Sequence, residues 1–214
     1  MVKLRVDDKE IEAKEGTILL KACLDNDIFI PNLCYMTDMD NGVASCRMCF
    51  VEIQGEQKPV ASCTVKVADH MRVRTDTPAV RRLQRSAFRL LLSTHHVDCR
   101  NCPANKKCGL QQIAKFLKVG LKQKTLEKIL GSTAIDEGHP YLNFFPNRCV
   151  LCGKCIYVCQ KQNEKAFITF AKRGFDTRVS FYAPGDLSEI PCGACNSCIG
   201  ICPVGAITAK GHTV

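Results

Sequence analysis

The chain has no tryptophan, and aromatic residues make up only 7% of it. The large rings that usually anchor a core are scarce, so its stability must draw on something else. Long hydrophobic runs are missing too. The densest apolar cluster, Leu90-Leu91-Leu92, adjoins Arg89 and falls far short of the ~20 residues that cross a bilayer. The opening stretch, MVKLRVDDKE, alternates charged with apolar side chains and has neither the apolar region nor the cleavage site of a secretory leader. A cytoplasmic chain without a membrane span is expected. Glycine loops of the G-x-G-x-x-G type, Walker loops and nucleophile–base triads are also lacking. No catalytic residue is therefore expected, and any nucleotide or flavin chemistry must come from a partner.

Cysteine is abundant: 16 of 214 residues. A small secreted protein would use such a count for disulfides; in a reducing compartment metal binding is the better reading. Cys23 stands alone. Cys34, Cys46, Cys49 and Cys63 form one group; Cys99, Cys102 and Cys108 a second, with His95 and His96 just before it. Cys149, Cys152, Cys155 and Cys159 form a third, and Cys192, Cys195, Cys198 and Cys202 a fourth. The last two repeat the spacing C-x2-C-x2-C-x3-C.

That spacing wraps three cysteines around one iron–sulfur cube and turns the fourth toward another. It assigns Cys149, Cys152, Cys155 and Cys202 to one [4Fe–4S] cluster, and Cys192, Cys195, Cys198 and Cys159 to a second. Structural zinc would leave a thiolate unused in each run. The first group, C-x11-C-x2-C-x13-C, keeps the central pair of the plant-type [2Fe–2S] pattern with a longer first loop; by chemistry alone a zinc site is an alternative. The second group is one ligand short of a cube. His95, four residues before Cys99, can supply an imidazole nitrogen, and His96 is its competitor. Iron held through fifteen cysteines and one histidine leaves only Cys23, a small core residue beside Leu19, Leu20 and Leu24.

Lys3–Val6 and Lys9–Ala13 alternate like paired strands, Thr17–Leu24 reads as a short helix, and Met48–Ile53 and Arg72–Thr75 as further strands. Thr77-Pro78 is a helix start, with a capping hydroxyl followed by proline at the first helical position. Gly109–Val119 and Lys122–Leu130 read as two more helices, with Gly120 and Gly131 as left-handed caps. The expected fold is α+β in three parts: a β-grasp [2Fe–2S] ferredoxin domain (1–78), a small helical His/Cys3 [4Fe–4S] domain (79–139) and a two-cluster [4Fe–4S] ferredoxin-like domain (140–214).

Thirty Lys and Arg against 21 Asp and Glu give a formal net charge of +9. Such a balance suits a surface that binds nucleic acid or acidic partners, and the row Arg81, Arg82, Arg85 and Arg89 reads as a nucleic-acid face or, more often, as a solvated one. Thiolate-bound clusters are anionic, however, and four of them would bring the total to about +2. With no aromatic platforms either, no nucleic-acid partner is expected.

Several stretches resemble a known family. The sequences SCRMCFVEI, ASC and LLSTHHVDCRNC are similar to the amino-terminal region of the complex I large iron–sulfur subunit, a module shared with the diaphorase iron–sulfur subunit of NAD(P)-linked hydrogenases and with [FeFe]-hydrogenases. NRCVLCGKCIYVC and CNSCIGICPVGAI resemble the two-cluster domain of the hydrogenase-linked members. In that family the histidine lies four residues before the first cysteine of the second group, which matches His95. The resemblance implies one [2Fe–2S] and three [4Fe–4S] clusters that relay electrons between a flavoprotein NAD(P)H-oxidising subunit and a catalytic subunit. A hydrogenase is the leading partner, with a formate dehydrogenase or another bifurcating complex as the alternative. Both ferredoxin motifs are complete, and the sequence stops twelve residues after Cys202. Both features point to the stand-alone subunit. A free polyferredoxin and a cluster-based redox sensor are the competing readings.

Overall fold

The computed structural model describes residues 1–122, 126–163 and 165–211. The chain divides into two compact units. One comprises Met1–Leu90 and Ile113–Val119; the other takes Leu91–Gln112 and the chain from Gly120 on.

The first unit is built on a five-stranded sheet. Strands β1 (Val2–Val6) and β2 (Lys9–Ala13) form a hairpin; β3 (Phe50–Ile53), β4 (Val60–Ala61) and β5 (Arg72–Arg74) complete the order β2-β1-β5-β3-β4. The β1–β5 pair is parallel and the others are antiparallel. Alternation sets the register: Val2, Leu4 and Val6 point into the core while Lys3 and Arg5 face out. Helix α1 (Leu19–Asp25) contributes Leu19, Leu20, Ala22 and Cys23 to the same core, where Ile11, Ile30, Val51 and Val73 meet them. Cys23 is fully buried, in keeping with a small core residue.

Helix α2 (Pro78–Ser93) starts as its sequence dictates: the Val80 N–H donates to Thr77 Oγ1 at 3.2 Å, and Thr77 Oγ1–H donates to Glu52 at 2.9 Å. Its arginines diverge. Arg81 pairs with Asp76 and lies 4.2 Å over the Phe116 ring, and Arg85 donates to the Leu117 carbonyl. Arg82 and Arg89 are both exposed.

Helix α3 (Gly109–Leu117) ends earlier than expected. The left-handed residue is Lys118 (φ 53°), and Gly120 does not take that role. The Val119 N–H reaches back to the Ala114 carbonyl and the Lys118 N–H to Lys115, which closes the helix in a Schellman turn. No helix forms over the described part of Lys122–Leu130; residues 123–125 lie outside the described residues. Ile129 and Leu130 are 42% and 40% exposed, so no apolar face is buried to hold a short helix together. The segment instead serves the end of α2: the Ile129 N–H donates to the Ser93 carbonyl and Lys128 Nζ to that of Leu92. Gly131, like Gly120, is not left-handed.

The second unit holds two small two-stranded sheets. Strands β6 (Leu142–Phe144) and β9 (Ile207–Ala209) pair antiparallel, as do β7 (Ile168–Ala171) and β8 (Arg178–Phe181). Helices α4 (Lys154–Asn163), α5 (Cys192–Cys195) and α6 (Ser197–Ile201) carry most of the cysteines of the repeat. The fold is α+β throughout, with no described helix long and apolar enough to cross a membrane.

Candidate metal centres

The chain between α1 and β5 brings Cys34, Cys46, Cys49 and Cys63 into the first unit, each at most 4% exposed. The four thiols fall into two pairs. Cys34 Sγ lies 3.5 Å from Cys46 Sγ, and the Cys49 thiol bonds that of Cys63. Backbone N–H groups point at the sulfurs: Leu33 donates to Cys46 at 3.4 Å and Cys46 donates to Cys34 at 3.5 Å. Cys46, accepting from Cys34, is brought down to about 6, while Cys34 is pushed far above the ordinary thiol range by the same bond and by burial. Cys63 is lowered by its bond from Cys49, which is raised in turn. Ala44 (φ 49°) and Arg47 (φ 53°) take left-handed backbone in this loop, and the Gly42 N–H donates to the Cys63 carbonyl at 3.1 Å.

In the second unit the repeat is crosswise. Cys149, Cys152, Cys155 and Cys202 line one small pocket with Phe144, Val150, Val179, Val204, Ala206 and Ile207. Cys198 lies within electrostatic reach of Cys192, Cys159 and Cys195. Cys159 projects from α4, so each set draws its fourth member from the other run. Gly153 (φ 75°) and Asn196 (φ 48°) occupy equivalent places in the two runs, and both need left-handed backbone to wrap the loop. Amide donors again meet the sulfurs: Leu151 to Cys149 at 3.4 Å, Phe167 to Cys159 at 3.3 Å and Ala206 to Cys202 at 3.2 Å. Burial pushes the Cys149 and Cys198 thiols up to about 12 and Cys192 to about 11. In an apolar pocket such groups become thiolates only beside a cation, so the donor set fits a metal cluster.

Cys99, Cys102 and Cys108 are half-buried, and Cys108 lies within electrostatic reach of the other two. His95 is 8% exposed while His96 is exposed. The His95 Nδ1 is 3.0 Å from the Arg148 carbonyl, so Nδ1–H donates there and Nε2 is the nitrogen left for a metal. Burial holds its pKa down to about 4, which keeps the ring neutral and fit to ligate. The imidazole is thus tied to Arg148 rather than to the three thiols. Arg148 in turn donates to the carbonyl of Asn101, inside the Cys99–Cys102 loop. Sequence reasoning overlooked Arg148. Its only signal was its place directly before Cys149.

Among the described residues, no three His, Cys, Asp or Glu side chains close on one point as a lone ion requires. In a cube each thiolate binds its own iron, and paired thiols suit a two-iron core; a structural zinc would need four ligands around one centre.

Comparison with known proteins agrees with this geometry. Residues 1–78 match the 2Fe-2S iron-sulfur cluster binding domain, residues 84–121 the NADH-ubiquinone oxidoreductase-G iron-sulfur binding region, and residues 139–208 the NADH-quinone oxidoreductase subunit 3 ferredoxin-like domain. The chain is 30% identical to the NADH-ubiquinone oxidoreductase 75 kDa subunit of Reclinomonas americana, over 99% of its own length and 30% of that protein. It is 29% identical to NADP-reducing hydrogenase subunit HndD of Solidesulfovibrio fructosivorans, over 97% of its length and 36% of that protein. The chain thus spans about a third of the length of these curated relatives. A chain of the NAD+-reducing [NiFe]-hydrogenase in the H2-reduced state superposes with a TM-score of 0.86 at 28% identity, covering 99% of this chain and 88% of that one. The three matched domains make the chain an iron–sulfur protein, similar over nearly all of its length to the amino-acid sequences of NADH-quinone oxidoreductase and NADP-reducing hydrogenase subunits. Its likeness thus extends to subunits of both an NADP-reducing and an NAD+-reducing hydrogenase.

Proposed function

We propose that the chain relays single electrons through one [2Fe–2S] and three [4Fe–4S] clusters, between a flavoprotein that oxidises NAD(P)H and a catalytic subunit, a hydrogenase. The ligands are Cys34, Cys46, Cys49 and Cys63; His95, Cys99, Cys102 and Cys108; Cys149, Cys152, Cys155 and Cys202; and Cys192, Cys195, Cys198 and Cys159. The observation that carries the reading is the small pocket in which Cys202 meets the Cys149–Cys155 loop from far along the chain. The paired thiols of the first unit support two ligands per iron, Cys34 with Cys46 and Cys49 with Cys63. Iron–sulfur clusters supply one-electron transfer, which splits the two electrons of a hydride into single steps. The chain's own residues hold the thiolates, donate amide hydrogens to the sulfurs and exclude water around them. Hydrogenase as the partner draws on the HndD relative and the superposed hydrogenase chain.

The test is anaerobic purification of the native assembly. About fourteen irons and as many acid-labile sulfides per chain, with hydrogen-dependent reduction of NAD or NADP, would bear the reading out. Stoichiometric zinc with about ten irons or fewer overturns the cluster set. Formate-dependent reduction without hydrogen activity replaces the partner.

A further inference from the structure

Arg148 is 9% exposed, yet no ion pair holds it among the described residues. One terminal nitrogen donates to the Asn101 carbonyl at 3.1 Å; the other is buried with no hydrogen-bond partner. The guanidinium lies over the Phe145 ring, 4.1 Å from its centre. A carboxylate in electrostatic reach, Asp98, is bonded to Asn101 instead. Lys128 adds a positive group near His95. A buried cation with one N–H orphaned and only a carboxylate engaged elsewhere in reach is unfavourable, and a closer anion would satisfy it in the working protein.

Its position says what that is. Arg148 directly precedes Cys149, its side chain enters the Cys99–Cys102 loop, and its carbonyl takes the Nδ1–H of His95. We propose that Arg148 is a positioning residue for two neighbouring clusters: its carbonyl orients His95 toward the metal, and its guanidinium offsets the negative charge that each cluster site carries and gains on reduction. The inference rests on the ligand sets proposed above. A fixed positive charge beside an anionic site stabilises the added electron, so the guanidinium holds both midpoint potentials up.

The experiment compares the full chain with Arg148→Gln and Arg148→Lys, each loaded anaerobically, by iron and sulfide content and by EPR-monitored redox titration. The [2Fe–2S] signal, from the separate first unit, is the internal reference. Arg148→Gln is expected to keep its iron while the potentials of the His95/Cys3 cluster and the Cys149 cluster move downward together. Arg148→Lys, which keeps the charge, should stay near the parent. Full iron with unchanged potentials in Arg148→Gln overturns the proposal. Should Arg148→Gln lose iron, Arg148→Lys decides: parent potentials at full iron support the charge role, and lowered potentials or lost iron refute it. A parent chain with about ten irons or fewer instead removes the cluster reading on which the inference rests.

Discussion

Gly42 offers a clean test of how tightly the first cysteine loop is packed. Its backbone is not left-handed, so alanine fits its dihedrals and the question is steric alone. A Cβ built there would press on the Cys63 carbonyl oxygen and stand 2.6 Å from the Cys63 Cβ and 2.8 Å from its carbonyl carbon. All three are backbone or branch-point atoms that cannot rotate away. Overpacking of this kind costs about 1–3 kcal/mol. Displacing Cys63 also breaks the Gly42 N–H···O=C bond, worth about 1 kcal/mol net. The reduced entropy of the unfolded alanine chain returns up to ~1 kcal/mol. A net loss of about 1–4 kcal/mol follows for Gly42→Ala, with a weakened hold on the iron of the proposed [2Fe–2S] site because Cys63 must move. Guanidinium unfolding followed by circular dichroism reads the first, and the rate of iron release to a chelator reads the second. Gly200→Ala is the control, since nothing lies within 4 Å of its Cβ; it should be neutral or slightly stabilising. If Gly42→Ala matched that control in both assays, the close approach of Gly42 to Cys63 would not exist in the protein.

The other expectations are smaller in scope. His95→Cys should keep its cube at a lower potential, because a thiolate adds negative charge; His95→Ala should make that cube labile, and His96→Ala should do neither, as read by EPR titration with iron counts. Loss of the cluster in His96→Ala alone would reassign the ligand. Cys23, with its pKa raised to about 12 by burial and then by Asp7, should resist alkylation at pH ~8 until the protein unfolds; Cys23→Ser should cost about 1–3 kcal/mol by burying a hydroxyl. Buried His139 has a lowered pKa, first from burial and then from Lys210. Its neutral form is the folded one, so its stability contribution is complete above the unfolded value near ~6.5 and is lost as pH falls through that value toward the lower folded one. Comparing acid unfolding of His139→Gln with the parent checks this; an identical acid limb counts against it. The flavin-free chain should accept electrons from dithionite but show no NADH:viologen activity.

The cysteine pattern made the site legible because ligand spacing is a local property: three thiolates on one loop need fixed steps, whatever surrounds them. The same holds for Thr77-Pro78, where one hydroxyl and one ring set the start of α2. Lys122–Leu130 misled because its pattern suits a helix, while the bonds from Ile129 and Lys128 to the end of α2 depend on residues far back in the chain. Lys118 as the left-handed cap was hidden by the preference for glycine two residues later. The β7–β8 hairpin between the two halves of the repeat was not anticipated at all; its strands have four residues each, too few for period-two alternation to stand out. Arg148 was illegible for another reason. A buried arginine looks like a surface one in sequence, and only its orphaned nitrogen and the carbonyls around it show its burial.

The path of the chain between its two units constrains how it can be cut. It leaves the first unit after Leu90, returns for Ile113–Val119, and leaves again. That brief return carries Ile113 and Leu117, both buried, and Phe116, whose ring meets Phe29 edge-on at 4.8 Å and lies under Arg81. Residues 1–78 expressed alone would keep all four cysteines of the first group yet strip the cover from Phe29. One nick by a protease would release neither unit, and excising the [2Fe–2S] unit intact requires carrying the chain through Val119, with Leu91–Gln112 as an untethered loop.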